Sequence, residues 1–298
     1  MGKRFTPKLL ARFAREHRGE GTYVDFVPYH KVARGDPSSS GRSNLLMFRD
    51  RLRESLSDGE LVEQYFASTL PNLDDCVEQY KLTHEPSPHP LAAYGDRDEV
   101  TLFPGTLQLA EELRIKHPRV YGEGGSALWT MTTDLVPIFK VGASPRELLA
   151  VSFKPPGWRS RKRTVERLRL EREYWLRRSV RWLLITPAQY DIRVDRTVRR
   201  TAAWVFADEA SADQRAIATQ IGHHFNGFPL QVVLSEIERE LGAMDVAQRA
   251  FWQAAWNAEL PLDLTNGWRP HLPIVVLGPQ AFWAQNPIAS QRSAWLSN

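Results

Sequence analysis

Two apolar runs constrain this chain more than any other feature. The first, residues 135–141, begins directly after Asp134, and the second, residues 148–153, ends directly before Lys154. A short break around Pro145 separates them. Runs of this length bounded by turn residues predict two strands joined as a hairpin. Side chains alternate along a strand, so Ser152 and Lys154 share one face and Phe153 takes the other. The hairpin therefore brings Asp134 and Lys154 together at one end of a sheet. A carboxylate there can hold a hard divalent cation, and a lysine beside it can deprotonate a water or neutralise a phosphate. Such a pair suits metal-dependent phosphodiester hydrolysis. A solvated aspartate beside a strand-end lysine is the plain alternative.

The flanking segments add to this pair. Ser57-Asp58-Gly59-Glu60 has the spacing of a capping box and opens a helix with Leu61, Val62, Tyr65, Phe66 and Leu70 on its apolar face. Glu60 thus has two readings, closure of the helix N-terminus or a second carboxylate for a cation near Asp134, and they compete for the same oxygens. Residues 162–178 read as the most charged helix of the chain, with Arg161, Lys162 and Arg163 at its start and Glu166, Glu171 and Glu173 offsetting part of the charge. Its basic face is either solvated or set against a nucleic-acid backbone, and the density of arginine favours the second. Glu171 shares a face with Leu168 and Trp175. An acid on an apolar face needs a partner. An arginine is the preferred partner and a bound cation the alternative. Residues 36–43 are either a flexible linker or a loop whose backbone amides, hydroxyls and Arg42 meet DNA phosphates.

The rest of the chain supplies a frame. Residues 7–17 read as a short basic amphipathic helix, and residues 23–27 and 76–82 as strands. Pro86, Pro88 and Pro90 mark residues 83–99 as irregular, residues 106–115 read as a helix, and an extended piece starts at His117-Pro118. Residues 180–186 have the composition of a buried strand. The resulting αβββαβ order is that of a small nuclease core, a mixed sheet flanked by helices. Residues 191–204, with four arginines, read as a basic connecting segment. Composition shifts at residues 207–213, so the expected domains are 1–207 and 208–298. In the second, residues 214–225, 230–241 and 246–258 read as helices, and residues 260–264 and 273–277 flank a turn at Asn266-Gly267. Helices followed by a hairpin suggest a winged helix. Its low basic content favours a protein partner over DNA.

Length and composition set the bounds. The 298 residues suffice for about two domains, and the net charge of +4 is mildly basic. Cys76 is the only cysteine, which excludes an internal disulfide and a cysteine-rich zinc site and fits a reducing compartment. The N-terminal residues lack the apolar core of a signal peptide, and no apolar run is long enough for a membrane span. A cytoplasmic protein, nucleoid-associated when acting, is expected.

In their order, several segments together resemble the TnsA family, endonuclease subunits of heteromeric cut-and-paste transposases. Gly19-Glu20-Gly21 through Ser39-Ser40-Gly41-Arg42-Ser43 is similar to that family's N-terminal region, and Leu56-Ser57-Asp58-Gly59-Glu60-Leu61 to its first catalytic motif. Glu78-Gln79 matches the strand that follows. Ile115-Lys116-His117-Pro118 and Met131-Thr132-Thr133-Asp134 match the approach to the second motif, and Phe153-Lys154-Pro155 the third. Arg163-Thr164-Val165-Glu166 through Leu170-Glu171-Arg172-Glu173-Tyr174-Trp175 matches the long helix after it. The likeness runs over roughly residues 17–190.

The resemblance implies an α/β fold: a type II restriction-endonuclease-like core followed by an α-helical, winged-helix-like C-terminal domain. It implies Mg²⁺-dependent cleavage, with Mn²⁺ as a substitute, of the 5′ non-transferred strands at transposon ends. The implied partners are transposon-end DNA, a DDE transposase (TnsB-like) that cuts and joins the 3′ ends, and an AAA+ ATPase regulator (TnsC-like) that contacts the C-terminal domain. Carried onto this chain, the catalytic residues are Glu60, Asp134 and Lys154. Glu60, Asp134 and the Phe153 carbonyl would hold Mg²⁺, and Lys154 would position or activate the attacking water. Ser152 stands where the family commonly has glutamine. Ser152 and Glu171 are accessory candidates, and Arg42, Arg161, Lys162 and Arg163 are candidates for DNA contact. Two other classes compete: a DNA-binding adaptor with an inactive nuclease fold, and a stand-alone restriction or repair endonuclease. Intact Glu60, Asp134 and Lys154 favour the enzyme of transposition.

Overall fold

The computed structural model describes residues 4–37 and 42–295. Ser38 to Gly41 of the expected phosphate-contacting loop therefore lie outside the described residues. Among those described, one unit takes residues 4–63 and 72–186, and a second takes residues 64–71 and 187–295.

In the first unit, helix α1 (Pro7–Arg15) starts where Thr6 Oγ1 accepts from the Leu9 amide. Pro7 sits in its first turn, where a missing N–H leaves nothing unpaired. The expected strand at residues 23–27 is instead a single 3₁₀ turn, Tyr23–Asp25, beside one isolated bridge between Glu20 and Val27. Strands β1 (Asn44–Phe48) and β2 (Arg51–Ser55) form a hairpin absent from the sequence reading. Its loop residues Arg49 and Asp50 both have positive φ, 51° and 57°, the turn geometry that matches the twist of a strand pair. Helix α2 (Asp58–Ser68) follows.

The central sheet is built from β3 (Leu73–Lys81), β6 (Thr132–Phe139), β7 (Glu147–Phe153) and β8 (Arg181–Ile185) in that order. Between β3 and β6 lie helix α3 (Thr106–Glu112) and a small hairpin of β4 (Arg119–Gly122) and β5 (Gly125–Leu128). β3, β6 and β7 run antiparallel, whereas β7 and β8 are parallel. A parallel pair needs a long crossover, and helix α4 (Lys162–Leu176) supplies it. Leu135, Val136, Ala150, Val151, Leu183 and Leu184 form the buried centre of the sheet. Trp175 of α4 donates its indole N–H to Thr133 Oγ1 at 2.7 Å, which ties the crossover helix to β6. The mixed α/β core expected from the element order is present.

The second unit is helical: α5 (Ile192–Val205), α6 (Ala212–His224), α7 (Leu230–Leu241), α8 (Met244–Trp256) and α9 (Pro279–Ala284). α5 replaces the expected connecting segment. Val194, Val198 and Ala202 recur at intervals of four and are buried, while Arg193, Arg196 and Arg200 face out. α5 belongs to this unit because Trp256 Nε1 donates to Thr201 Oγ1 at 3.1 Å and the Phe206 ring meets Trp256 edge-on. The main segment of this unit accordingly begins at Pro187 rather than at the expected residue 208. Among the described residues, the wing expected from residues 260–277 reduces to an isolated bridge between Leu262 and Val276. Pro261, Pro270 and Pro273 remove the amides a longer ladder would use. Among the described residues no helix is long and apolar enough to cross a membrane.

Candidate active site

Asp134 is the third residue of β6, and Lys154 directly follows the last residue of β7. The hairpin brings them into contact: Lys154 Nζ donates to Asp134 Oδ2 at 3.1 Å. The Phe153 amide donates to the same oxygen at 2.9 Å, and Asp134 Oδ1 has no partner among the described residues. Lys154 Nζ also donates to the Phe153 carbonyl at 2.5 Å, so the backbone oxygen expected as a cation ligand is here held by the lysine. Burial works against the lysine charge, but the negative charges of Asp134, Glu171 and Glu60 outweigh it and raise the Lys154 pKa. A lysine held in its cationic form offers a positive charge and hydrogen-bond donors.

Glu60 reaches this pair from the start of α2. Its amide donates to Ser57 Oγ at 3.2 Å, its Oε1 accepts from Ser57 Oγ at 3.0 Å and its Oε2 from the Leu56 amide at 2.8 Å. The capping contacts are therefore formed, and they hold the carboxylate in the field of Asp134. Burial, and then the Asp134 charge, push Glu60 up to about 7. Gly59 permits the approach, because a Cβ there would lie 2.0 Å from the Phe153 ring. Gln79 locks the geometry: its Nε2 donates to Glu60 Oε2 at 3.1 Å and its Oε1 accepts from Thr132 Oγ1 at 3.0 Å. Gln79 adopts a positive φ of 49°, which interrupts the alternation of β3. Its neighbour Glu78 is spent on a two-pronged pair with Arg51, both contacts at 2.6 Å.

Glu171 has no arginine partner among the described residues, contrary to the preferred reading. Its Oε1 accepts from Thr133 Oγ1 at 2.7 Å, from Ser152 Oγ and from Trp182 Nε1 at 3.2 Å. The sheet strands β6, β7 and β8 facing α4 provide these hydroxyl and indole donors, while Arg169 lies exposed. Burial pushes Glu171 up to about 6, against the pull of Lys154.

One carboxylate was missed by the sequence reading. Glu63, one turn after Glu60, is buried, and neither of its oxygens has a hydrogen-bond partner among the described residues. Burial, and then the charges of Asp134 and Glu60, raise its pKa well above the usual range. An acid amid Leu61, Val62, Tyr65 and Phe66 was the available signal.

The donor set is hard oxygen, which suits Mg²⁺. Among the described residues, no three His, Cys, Asp or Glu side chains stand together as a ready cation cage. Mg²⁺ usually takes one or two carboxylates and keeps several waters, so a cage is not required. The unpartnered Asp134 Oδ1 and the neighbouring Glu60 meet that need.

The expected DNA contacts are spread around the first unit. Arg42 donates to Asp58 Oδ1 and Oδ2 at 3.2 and 3.1 Å, at the first turn of α2. Arg161 and Lys162 open α4, are exposed and have no carboxylate partner among the described residues. Arg163 is partly neutralised by Glu166 at 2.9 Å and also donates to the Lys116 carbonyl. A groove of about 420 Å³ is lined by Arg163 and Arg167 with Lys116, Arg119, Tyr121 and Trp129. Lys116, Arg119 and Arg167 have no carboxylate partner among the described residues, and the sequence reading had not joined them into one surface.

Residues 97–187 match the family described as "TnsA-like endonuclease N terminal". That span contains Asp134, Ser152, Lys154 and Glu171. The chain is also 29% identical over 224 residues to the transposon Tn7 transposition protein TnsA of Escherichia coli, covering 74% of this chain and 71% of that relative.

Proposed function

This chain is a TnsA-family protein, and we propose that it is a transposition endonuclease cutting the 5′ non-transferred strands at transposon ends. The observation that carries the reading is the contact of Lys154 with Asp134 at the hairpin end, with Glu60 held beside it by the cap of α2. Glu60 and Asp134 would hold Mg²⁺, or Mn²⁺ in its place, which when bound supplies positive charge to the scissile phosphate. The Phe153 carbonyl, which here accepts from Lys154 Nζ, has a second lone pair and would be a further ligand. Lys154, kept cationic by its acidic neighbours, faces the phosphate charge and orients the attacking water rather than taking its proton. Glu171, fixed by Thr133, Ser152 and Trp182, maintains the negative field that keeps the lysine charged.

Arg42, Arg161 and Lys162, with the groove of Lys116, Arg119 and Arg167, would receive the DNA backbone, and Arg163 would join them by exchanging Glu166 for a phosphate. A DDE transposase would act on the 3′ ends, and an AAA+ ATPase regulator would engage the helical second unit. A DNA substrate of this kind implies a cytoplasmic protein that meets the nucleoid when it acts. The intact Glu60, Asp134 and Lys154 favour an enzyme over an inactive adaptor. The test is strand-specific nicking of transposon-end duplexes with Mg²⁺, with and without the DDE partner. Cuts confined to the 5′ strands at the ends are expected. Cutting indifferent to end sequence and partner would point to a stand-alone nuclease, and binding without cutting to an adaptor.

A further inference from the structure

Glu63 lies three residues beyond Glu60 on α2, on the same side of the helix. It is 1% exposed, and neither carboxylate oxygen has a hydrogen-bond partner among the described residues. Each other acid of the site has donors. Asp134 accepts from Lys154 and the Phe153 amide, Glu60 from Ser57, Leu56 and Gln79, and Glu171 from Thr133, Ser152 and Trp182. Glu63 alone of these four is left bare, in the company of Asp134, Glu60, Glu171 and the cation of Lys154. Burying a carboxylate without donors is costly, and an acid is not needed to fill an apolar helix face.

We propose that Glu63 is a further cation-binding carboxylate of this site, so that α2 presents two acids, Glu60 and Glu63, to the divalent cation that Asp134 holds. The proposal rests on the nuclease reading. The acids do not form a closed cage in this structure. Rotation of the Glu63 side chain toward the ion breaks no hydrogen bond. The Glu60 carboxylate, by contrast, is held in place by three groups, Ser57, Leu56 and Gln79. Glu63 is thus the adaptable ligand and Glu60 the fixed one.

The experiment measures Mn²⁺ binding to the full chain without DNA, by electron paramagnetic resonance, alongside thermal melting in a chelator. Glu63→Gln keeps the shape and removes the charge. The expected result is Mn²⁺ binding weakened by roughly tenfold or more, with a melting temperature in chelator equal to or above that of the unaltered protein. Glu63→Met, apolar and of similar size, gives the same comparison if the amide folds poorly. Asp134→Asn is the control for the site as a whole. Unchanged Mn²⁺ binding in both Glu63 variants, with binding lost in Asp134→Asn, would make Glu63 a passive buried acid and overturn this proposal while leaving the nuclease reading intact. Unchanged binding in all three variants would overturn both.

Discussion

The Ser152 hydroxyl donates a hydrogen bond to Oε1 of Glu171. That bond joins β7, which ends just before Lys154, to the crossover helix behind it. Ser152→Ala removes one of the three donors to this buried oxygen, the others being Thr133 and Trp182. Hydrogen bonds to charged groups are worth about 1.5–3 kcal/mol, but two donors remain, so a loss near 1 kcal/mol and about a tenfold slower nicking rate are expected. Glu60→Ala should cost far more. Nicking rates at saturating Mg²⁺ decide between them. If Ser152→Ala is inactive while Glu60→Ala cuts normally, Glu60 is only a helix cap.

Gly59→Ala tests how α2 is seated. The added Cβ would meet the Phe153 ring at 2.0 Å, so helix or ring must shift. Overpacking of this kind costs about 1–3 kcal/mol. A lower melting temperature should come with a higher Mg²⁺ concentration for half-maximal nicking, because Glu60 moves with the helix. Melting and Mg²⁺ titration of nicking check it; an unchanged pair of curves contradicts the close packing.

The pH dependence follows from Glu60, pushed up to about 7 from an ordinary 4.5 by burial and then by Asp134. A raised carboxyl stabilises the folded state fully below its unfolded pKa and loses that contribution as pH rises through its folded pKa. Without divalent cation, the protein should therefore lose stability relative to Glu60→Gln as pH rises from 4.5 to about 7. Cation binding needs the ionised acid, so Mn²⁺ affinity should rise between about pH 6 and about pH 8. Chelator melts and Mn²⁺ titrations across that range measure both slopes. A flat difference between the two proteins would remove Glu60 from the site.

A fragment cut at Asp208 loses α5, and with it Thr201 beneath the Trp256 indole and Phe206 against its ring. A fragment starting at Pro187 keeps them. The shorter piece should show weak near-ultraviolet tryptophan dichroism and a broad melt, the longer piece a sharper one. The longer piece is also the better bait for the proposed ATPase regulator. Equal melts for the two would contradict the placement of α5.

The hairpin was legible in the sequence because two apolar runs with a break between them leave few options, and strand alternation then places Ser152 and Lys154 on one face. Glu60 was legible through its cap. Its companions were not, because they depend on contacts between distant elements. Nothing local signals that Gln79 takes a positive φ and bridges Glu60 to Thr132. Helical spacing put Glu171 on an apolar face but could not say that hydroxyls and an indole, not an arginine, would meet it. Four arginines hid the buried stripe of α5. Glu63 read as one more acid on a helix because burial is not a property of the residue itself.

The most direct measurement is the product pattern of Asp134→Ala in a reconstituted transposition reaction with the proposed DDE partner. The variant should stay folded, since Asp134 is near the start of β6 and not fully buried, and Lys154 retains the Phe153 carbonyl. The expected outcome is 3′ joining without 5′ cuts, leaving donor and target DNA fused. Wild-type-like 5′ cutting by this variant would contradict the assignment of the Asp134–Lys154 pair as the catalytic centre.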